Sequence, residues 1–196
     1  QEVIARFFQC ACDYRMGYVE KEAVEKSELL MDDLEVKSED RVVVGPARQA
    51  AKDAQKAGKG NQGIYCGAAI ELPDGTVITG KNTPLMHAAS SAILNAVKVL
   101  AALPEDIHIL APNVIASIAE LKQHVFGSKA VSLDLEEILI ALSMSATTNP
   151  TAQKAMEKLK VLRDCEMHIT HIPTPGDEKA LRKLRIHFTS DPEFAS

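Results

Sequence analysis

After Gly63 the sequence alternates between short apolar segments and longer segments of helical periodicity, and this alternation limits the fold more than any other feature. Residues 64–72 and 76–79 are expected to form a hairpin, because Pro73-Asp74-Gly75 between them has the composition of a tight turn. Helices are expected to separate further short strands at 107–110, 130–133, 166–172 and 186–188. This order predicts an α/β fold of three layers, α/β/α, with a mixed, mostly parallel sheet.

The first 60 residues lack this alternation and contain only segments with helical spacing of apolar residues. They end in the stretch 58–63, which has three glycines in six residues and is typical of a linker. We therefore expect a helical segment at residues 1–60 and an α/β domain at residues 61–196.

Composition excludes several classes of protein. The formal net charge is −5 and no segment concentrates Lys and Arg, which argues against binding to nucleic acid. No apolar run approaches the roughly 20 residues of a membrane span, and no signal peptide is expected. The cysteines, at positions 10, 12, 66 and 165, lack C-x-x-C spacing and are expected to be free thiols in the cytoplasm. Because the chain opens with Gln1 in a helical pattern, we expect a fragment of a longer protein.

Four short runs resemble the opening of the cytidine-deaminase-like fold: residues 67–70, 73–75, 80–82 and 87–89. That fold implies a hairpin, a helix bearing H-A-E and a later helix opening with P-C-x-x-C, whose His and two Cys hold zinc. His87 matches the first ligand, but Ala89 stands at the Glu position and Pro112-Asn113-Val114-Ile115-Ala116 replaces the cysteine motif. The resemblance thus implies the layout and pocket of that fold without zinc-dependent deamination, and no metal or other cofactor is expected.

Three longer strings are more specific: TGKNTPLMHAASSAILNA, SLDLEEILIALSMSATTNPTAQ and HITHIPTPGDEKALRKL. They resemble the C-terminal part of the uncharacterised protein family 0371, and the resemblance spans essentially the whole chain. It implies a fragment of a larger cytoplasmic bacterial protein, whose upstream part carries a glycine-rich, phosphate-loop-like stretch. It implies no particular activity.

The candidate ligand-binding residues fall into two groups. Lys81 and Asn82 end the hairpin and His87 begins the next helix, so the deaminase-like layout predicts that they converge at one mouth. Together they would bind an anion or polarise a carbonyl without a metal. The equally weighted alternative is that Asn82 closes a turn, His87 caps its helix and Lys81 is solvated.

The second group lies at helix starts. Asn113 follows Pro112 and is expected to line the same mouth as His87. Thr147, Thr148 and Asn149 precede a helix, whose N-terminus suits a phosphate or a carboxylate. The alternative, which we favour for this turn, is an ordinary N-cap by Asn149.

Two functional hypotheses remain open from the sequence. In the first, the domain belongs to a metal-independent enzyme and binds a small anionic or nucleotide-like ligand at the mouth near His87. In the second, it is a non-catalytic ligand-binding or assembly domain, whose Ala-rich helices pack against an identical subunit.

Overall fold

The computed structural model describes residues 1–195, and within that range the chain has eight α-helices and four β-strands. The helices are α1 (Glu2–Arg15), α2 (Lys21–Asp33), α3 (Val44–Lys56), α4 (Ala88–Leu100), α5 (Pro112–Glu120), α6 (Leu135–Ala146), α7 (Pro150–Glu157) and α8 (Pro175–Leu184). The strands are β1 (Gly67–Glu71), β2 (Val77–Lys81), β3 (Glu166–Ile169) and β4 (His187–Ser190). A π-helical turn, Leu121–Val125, continues α5, and 3₁₀ turns occupy Ser38–Asp40 and Lys158–Leu162.

The four strands form one mixed sheet in the order β2-β1-β3-β4. The predicted hairpin is confirmed: β1 and β2 are antiparallel, and the Asp74 carboxylate accepts the Thr76 N–H at 3.0 Å in the turn. The α/β class and the mixed sheet are likewise confirmed. The expectation of a mostly parallel sheet is wrong, because β1 is antiparallel to both of its neighbours and only β3 and β4 are parallel.

Two expected strands are missing from the sheet, and their absence explains the lower parallel content. Residues 107–110 form no strand, although Ile109 and Leu110 are buried in the core. Residues 130–133 contribute only an isolated parallel bridge between Met86 and Leu133. A short apolar run indicates that its side chains are buried, but an irregular segment can bury its side chains as well as a strand can.

Helices cover both faces of the sheet, and the alternation of side chains along β1 determines which helices each residue meets. Ala68 and Ile70 belong to the large core that includes residues of α4, α6, α7 and α8. Ala69, between them, packs on the opposite face with Val43 and Ala47. Whether this arrangement is the deaminase-like layout stays a prediction.

The helical segment before residue 60 packs directly on the sheet. The Phe8 ring in α1 lies 4.7 Å, centroid to centroid, from the imidazole of His168, which is fully buried in β3. Arg41 is also buried and forms an ion pair with Glu166, at the start of β3. The boundary near residue 60 stays a prediction.

Candidate functional site

The N-termini of three helices meet on the α4 side of the sheet. The His87 N–H, at the start of α4, donates to the Leu133 carbonyl oxygen at 3.0 Å. The Leu135 N–H, in the first turn of α6, donates to the carboxylate of Asp177 in α8 at 2.8 Å. These two hydrogen bonds hold the starts of α4, α6 and α8 together around residues 133–135.

His87 and Asp177 form a hydrogen-bonded pair at this junction, with 2.7 Å between Nδ1 and Oδ2. The Asp177 side chain is only 5% exposed, and Oδ2 also accepts from the Thr174 hydroxyl at 2.8 Å. The His87 side chain is 26% exposed, and its Nε2 is neither bonded within residues 1–195 nor closed off from solvent. A buried carboxylate thus orients an imidazole whose other nitrogen is open to solvent.

The protonation of His87 follows from this geometry. Burial lowers the pKa of His87, but the hydrogen bond and the charge of Asp177 raise it more, so its pKa lies above the ordinary value. Asp134, the N-cap of α6, adds to the raising effect. A larger fraction of His87 is therefore protonated near neutral pH than in an isolated histidine.

Charged groups surround the pair on the α6 side. The Asp134 carboxylate lies so close to Gly176 that a Cβ at position 176 would overlap it. Burial raises the pKa of Asp134. Lys122, carried by the π-helical turn after α5, donates to the Glu137 carboxylate and to the Ser132 carbonyl oxygen, both at 2.7 Å. The junction therefore contains three carboxylates near one imidazole and one ammonium group.

Cys66 lies near Asp177 but does not have the properties of a nucleophile. It is buried, and the Thr170 hydroxyl contacts its sulfur at 3.5 Å. Burial raises the pKa of the Cys66 thiol to about 11. Because the thiolate is the reactive form, this cysteine is unreactive near neutral pH.

Lys81 and His87 lie on different faces of the sheet. Val77 packs against the cluster of Val43, Ala47 and Ala69 on the α3 face of the sheet. Lys81, four residues further along β2, therefore also faces α3. Lys81 lines a groove of about 560 Å³ at the β2 edge, and His87 is not among the residues that form it. The expected convergence of these two side chains is not observed.

Asn82 has a structural role in the hairpin. Its Oδ1 accepts the Cys66 N–H at 2.8 Å, and its Nδ2 donates to the Ile64 carbonyl oxygen at 2.9 Å. The side chain is buried, and its amide is used to join the end of β2 to the segment before β1. This geometry matches the alternative reading from the sequence, in which Asn82 closes a turn.

The remaining candidates lie at the far end of α6 from His87. α6 has 12 residues, so its two ends are about 18 Å apart. Thr147, Thr148 and Asn149 follow its C-terminus, where Asn149 caps α7 by accepting the Thr151 N–H at 3.0 Å. Asn113 lies at this end too, because the Ala111 N–H, just before α5, donates to the hydroxyl of Ser145 in α6. The structure brings these four residues to one end of α6 and separates them from His87.

The sequence interpretation did not identify Asp177, Asp134 or Lys122 as members of the site. Thr174 and Asp177 have the spacing of a helix cap, and the Asp177 N–H does face the Thr174 hydroxyl. That signal is local and says nothing about His87, which lies 90 positions away in the chain. In the described part of the chain no group of three or more His, Cys, Asp or Glu side chains is arranged to hold a metal ion.

Replacing Asp177 with asparagine is expected to lower the pKa of His87, because the variant removes the negative charge and the strongest acceptor of the imidazole N–H. The pH dependence of the His87 Cε1–H resonance measures this shift. Glu178→Gln, which changes the half-buried neighbour of Asp177, is the matched control. An unchanged His87 titration in Asp177→Asn would contradict the assigned pair.

The same pair affects stability. The pKa of His87 is raised in the folded state. The contribution of the His87–Asp177 pair to the free energy of unfolding is therefore fully present below about pH 6.5, the pKa of an unfolded histidine, and is lost as the pH rises through the folded pKa. In Asp177→Asn the free energy of unfolding should therefore fall less steeply as the pH rises above about 6.5.

Comparison with known proteins places the chain in a family. Residues 39–196 match the family described as "Domain of unknown function DUF1846, C-terminal". The chain is 45% identical over 196 residues to a UPF0371 protein of Clostridium tetani (strain Massachusetts / E88) and 44% identical over 196 residues to one of Clostridium botulinum (strain Alaska E43 / Type E3).

Each alignment covers 100% of this chain and 39% of the relative. The chain therefore spans about two fifths of the length of these relatives. None of the helices within residues 1–195 combines the length and the apolar character that crossing a bilayer requires. The chain belongs to the UPF0371 family and corresponds to the C-terminal DUF1846 region of its longer members.

Proposed function

We propose that this chain is a metal-independent enzyme domain that binds a small anionic or nucleotide-like molecule at the imidazole of His87. The observation that carries the proposal is the His87–Asp177 pair, in which a buried carboxylate holds Nδ1 and leaves Nε2 open. An imidazole oriented in this way is suited to proton transfer as a general acid or base.

The charges of the junction indicate how a ligand would bind. The N-termini of α6 and α8 already have side-chain caps, from Asp134 and Thr174. Lys122 is paired with Glu137. An anionic group is therefore expected to contact protonated His87 through Nε2, and the backbone N–H groups of these helices are not needed for binding. The carboxylates of Asp134 and Asp177 would restrict how many negative charges the ligand can bring to this point.

The longer family members suggest where the second half of an active site would lie. The sequence resemblance implies an upstream part with a phosphate-loop-like stretch, which would bind a nucleotide or supply a second substrate. The activity of the whole protein then depends on both parts, with His87 supplying the proton-transfer group in this one.

Binding of inorganic phosphate, a nucleoside monophosphate and a nucleoside triphosphate to the natural full-length protein tests the proposal. We expect at least one of these probes to shift the His87 Cε1–H resonance. We further expect His87→Gln to bind that probe about tenfold or more weakly in calorimetry, which corresponds to a loss of about 1.4 kcal/mol in binding free energy. His124→Gln, which changes an exposed histidine on the π-helical turn, should bind as the unmodified protein does.

Two results would contradict this site. One is binding that is equally strong in His87→Gln and in the unmodified protein. The other is binding that is lost only in Thr148→Ala, which would move the ligand to the far end of α6.

The second candidate function is that of a non-catalytic assembly domain. The observation that favours it is structural and independent of His87: β2 is an edge strand that borders an open groove.

A further inference from the structure

The two edges of the sheet differ. Along β4, α1 lies beside the strand, and the Cys12 thiol donates to the Ser190 carbonyl oxygen at 3.3 Å. Along β2, all five residues of the strand line the groove of about 560 Å³, which α3 and α4 border on either side. Within residues 1–195 β2 pairs with β1 alone. An uncovered edge of this kind can pair with a strand from another chain.

The hydrogen bonds of the hairpin show which backbone groups face the groove. Thr76 accepts a hydrogen bond from the facing arm, and Asn82 donates one to it. Because the pattern in an antiparallel pair alternates with a period of two residues, the even-numbered residues between them also bond to β1. The N–H and C=O groups of Val77, Thr79 and Lys81 therefore point away from β1 and into the groove.

One of these outward groups already accepts a hydrogen bond of the kind that a strand would supply. The Asn95 side-chain amide, on α4, donates to the Thr79 carbonyl oxygen at 2.9 Å. Asn95 is exposed, so its side chain can turn away and leave this acceptor to a backbone N–H. The other outward groups face an open groove.

The charges along the groove favour a second copy of this chain as the occupant. Two acidic side chains, Asp53 and Glu105, and two basic ones, Lys81 and Lys98, line it. A groove that carries both charges can place acidic side chains opposite basic ones of an identical surface, whereas a strongly acidic or basic partner would meet as much repulsion as attraction. In a two-fold interface the same surface contacts itself.

We propose that β2 pairs with β2 of a second copy, antiparallel and centred on Thr79, so that the two sheets join into one of eight strands. This register uses all five residues of β2 and places Val77 opposite Lys81 of the other copy. A register centred on Lys81 would instead place two lysines face to face. The dimer does not depend on a ligand at His87, so the two proposals fail or succeed separately.

The oligomeric state of the natural full-length protein, measured by light scattering on a sizing column, tests this interface. Thr79→Lys places two like charges opposite each other on the two-fold axis. We therefore expect the dissociation constant of the dimer to rise at least tenfold and the measured mass to fall toward that of one subunit. Thr148→Lys is the matched control, since it introduces the same side chain at another exposed threonine, and it should leave the mass unchanged.

Cross-linking gives a readout that other interfaces of the longer protein do not affect. Under mild oxidation Thr79→Cys should form disulfide-linked dimers. Thr148→Cys should form no more disulfide-linked dimer than the unmodified protein does. A protein that is monomeric over the accessible concentration range overturns the proposal. So does an unchanged mass in Thr79→Lys together with no cross-link in Thr79→Cys.

Discussion

Replacing Gly80 with alanine is expected to lower the free energy of unfolding by about 3 kcal/mol, the upper part of the range for overpacked cores. Gly80 is buried in β2 where α4 crosses the sheet. A Cβ at this position would lie 2.7 Å from the Ala92 Cα and 2.8 Å from the Ala88 carbonyl oxygen. Both are backbone atoms of α4, so no side-chain rotation relieves the contact and the helix itself would have to move.

The consequence would extend beyond β2, because α4 begins at His87. A shift of α4 is expected to change the distance between His87 and Asp177 and thereby the titration of His87. Denaturant unfolding measures the stability loss, and the His87 resonance measures the effect on the site. Gly45→Ala is the matched control: nothing lies within 4 Å of its Cβ position, and it lies in α3. This control should be stabilised by about 0.5–1 kcal/mol. Equal stability of the two variants would contradict the close approach of α4 to β2.

Residues 61–196 expressed without α1–α3 are expected to lack a cooperative unfolding transition. Without these helices the β1 and β3 face that carries Ala69 and His168, both fully buried in the intact chain, would be exposed to water. Truncating one large buried aromatic such as Phe8 to alanine costs about 3–5 kcal/mol, and a whole domain is stable by only about 5–15 kcal/mol. Removing Phe8 together with Val43 and Ala47 should therefore exceed the available stability.

Thermal and denaturant unfolding of the truncated chain, together with its amide proton dispersion, measures this effect. Phe8→Ala in the intact chain tests one part of it, and Tyr18→Ala is the control, because Tyr18 is 75% exposed and its loss should change stability by less than about 0.5 kcal/mol. A truncated chain with dispersed amide resonances and a cooperative transition would instead support the boundary near residue 60 as a folding boundary.

Local features of this protein were predictable from short stretches of sequence. The hairpin follows from Pro73-Asp74-Gly75, since a turn of this composition and its two arms are neighbours in the chain. The starts of α6 and α7 follow from Asp134 and Asn149, whose side chains accept N–H groups two or three residues further along the chain. Each of these signals acts over a few residues, so the rest of the fold does not have to be known.

Local sequence patterns were not sufficient to predict strands, because the strands expected at 107–110 and 130–133 do not form. Both stretches have apolar residues that are buried, but a strand also requires a neighbouring backbone at the right distance. Within residues 1–195 Leu133 bridges to Met86 alone, and residues 107–110 pair with no strand of the sheet. The apolar pattern predicted burial correctly and strand formation incorrectly.

The sequence by itself determined the family, the α/β class, the hairpin and the capped helices, because each depends on residue identity or on contacts within a few positions. Tertiary structure alone decided that His87 meets Asp177 and not Lys81, and that the Thr147–Asn149 turn lies at the other end of α6. The physical reason is distance along the chain. Side chains some 90 residues apart are brought together by the packing of α4, α6 and α8, and no local pattern records that packing.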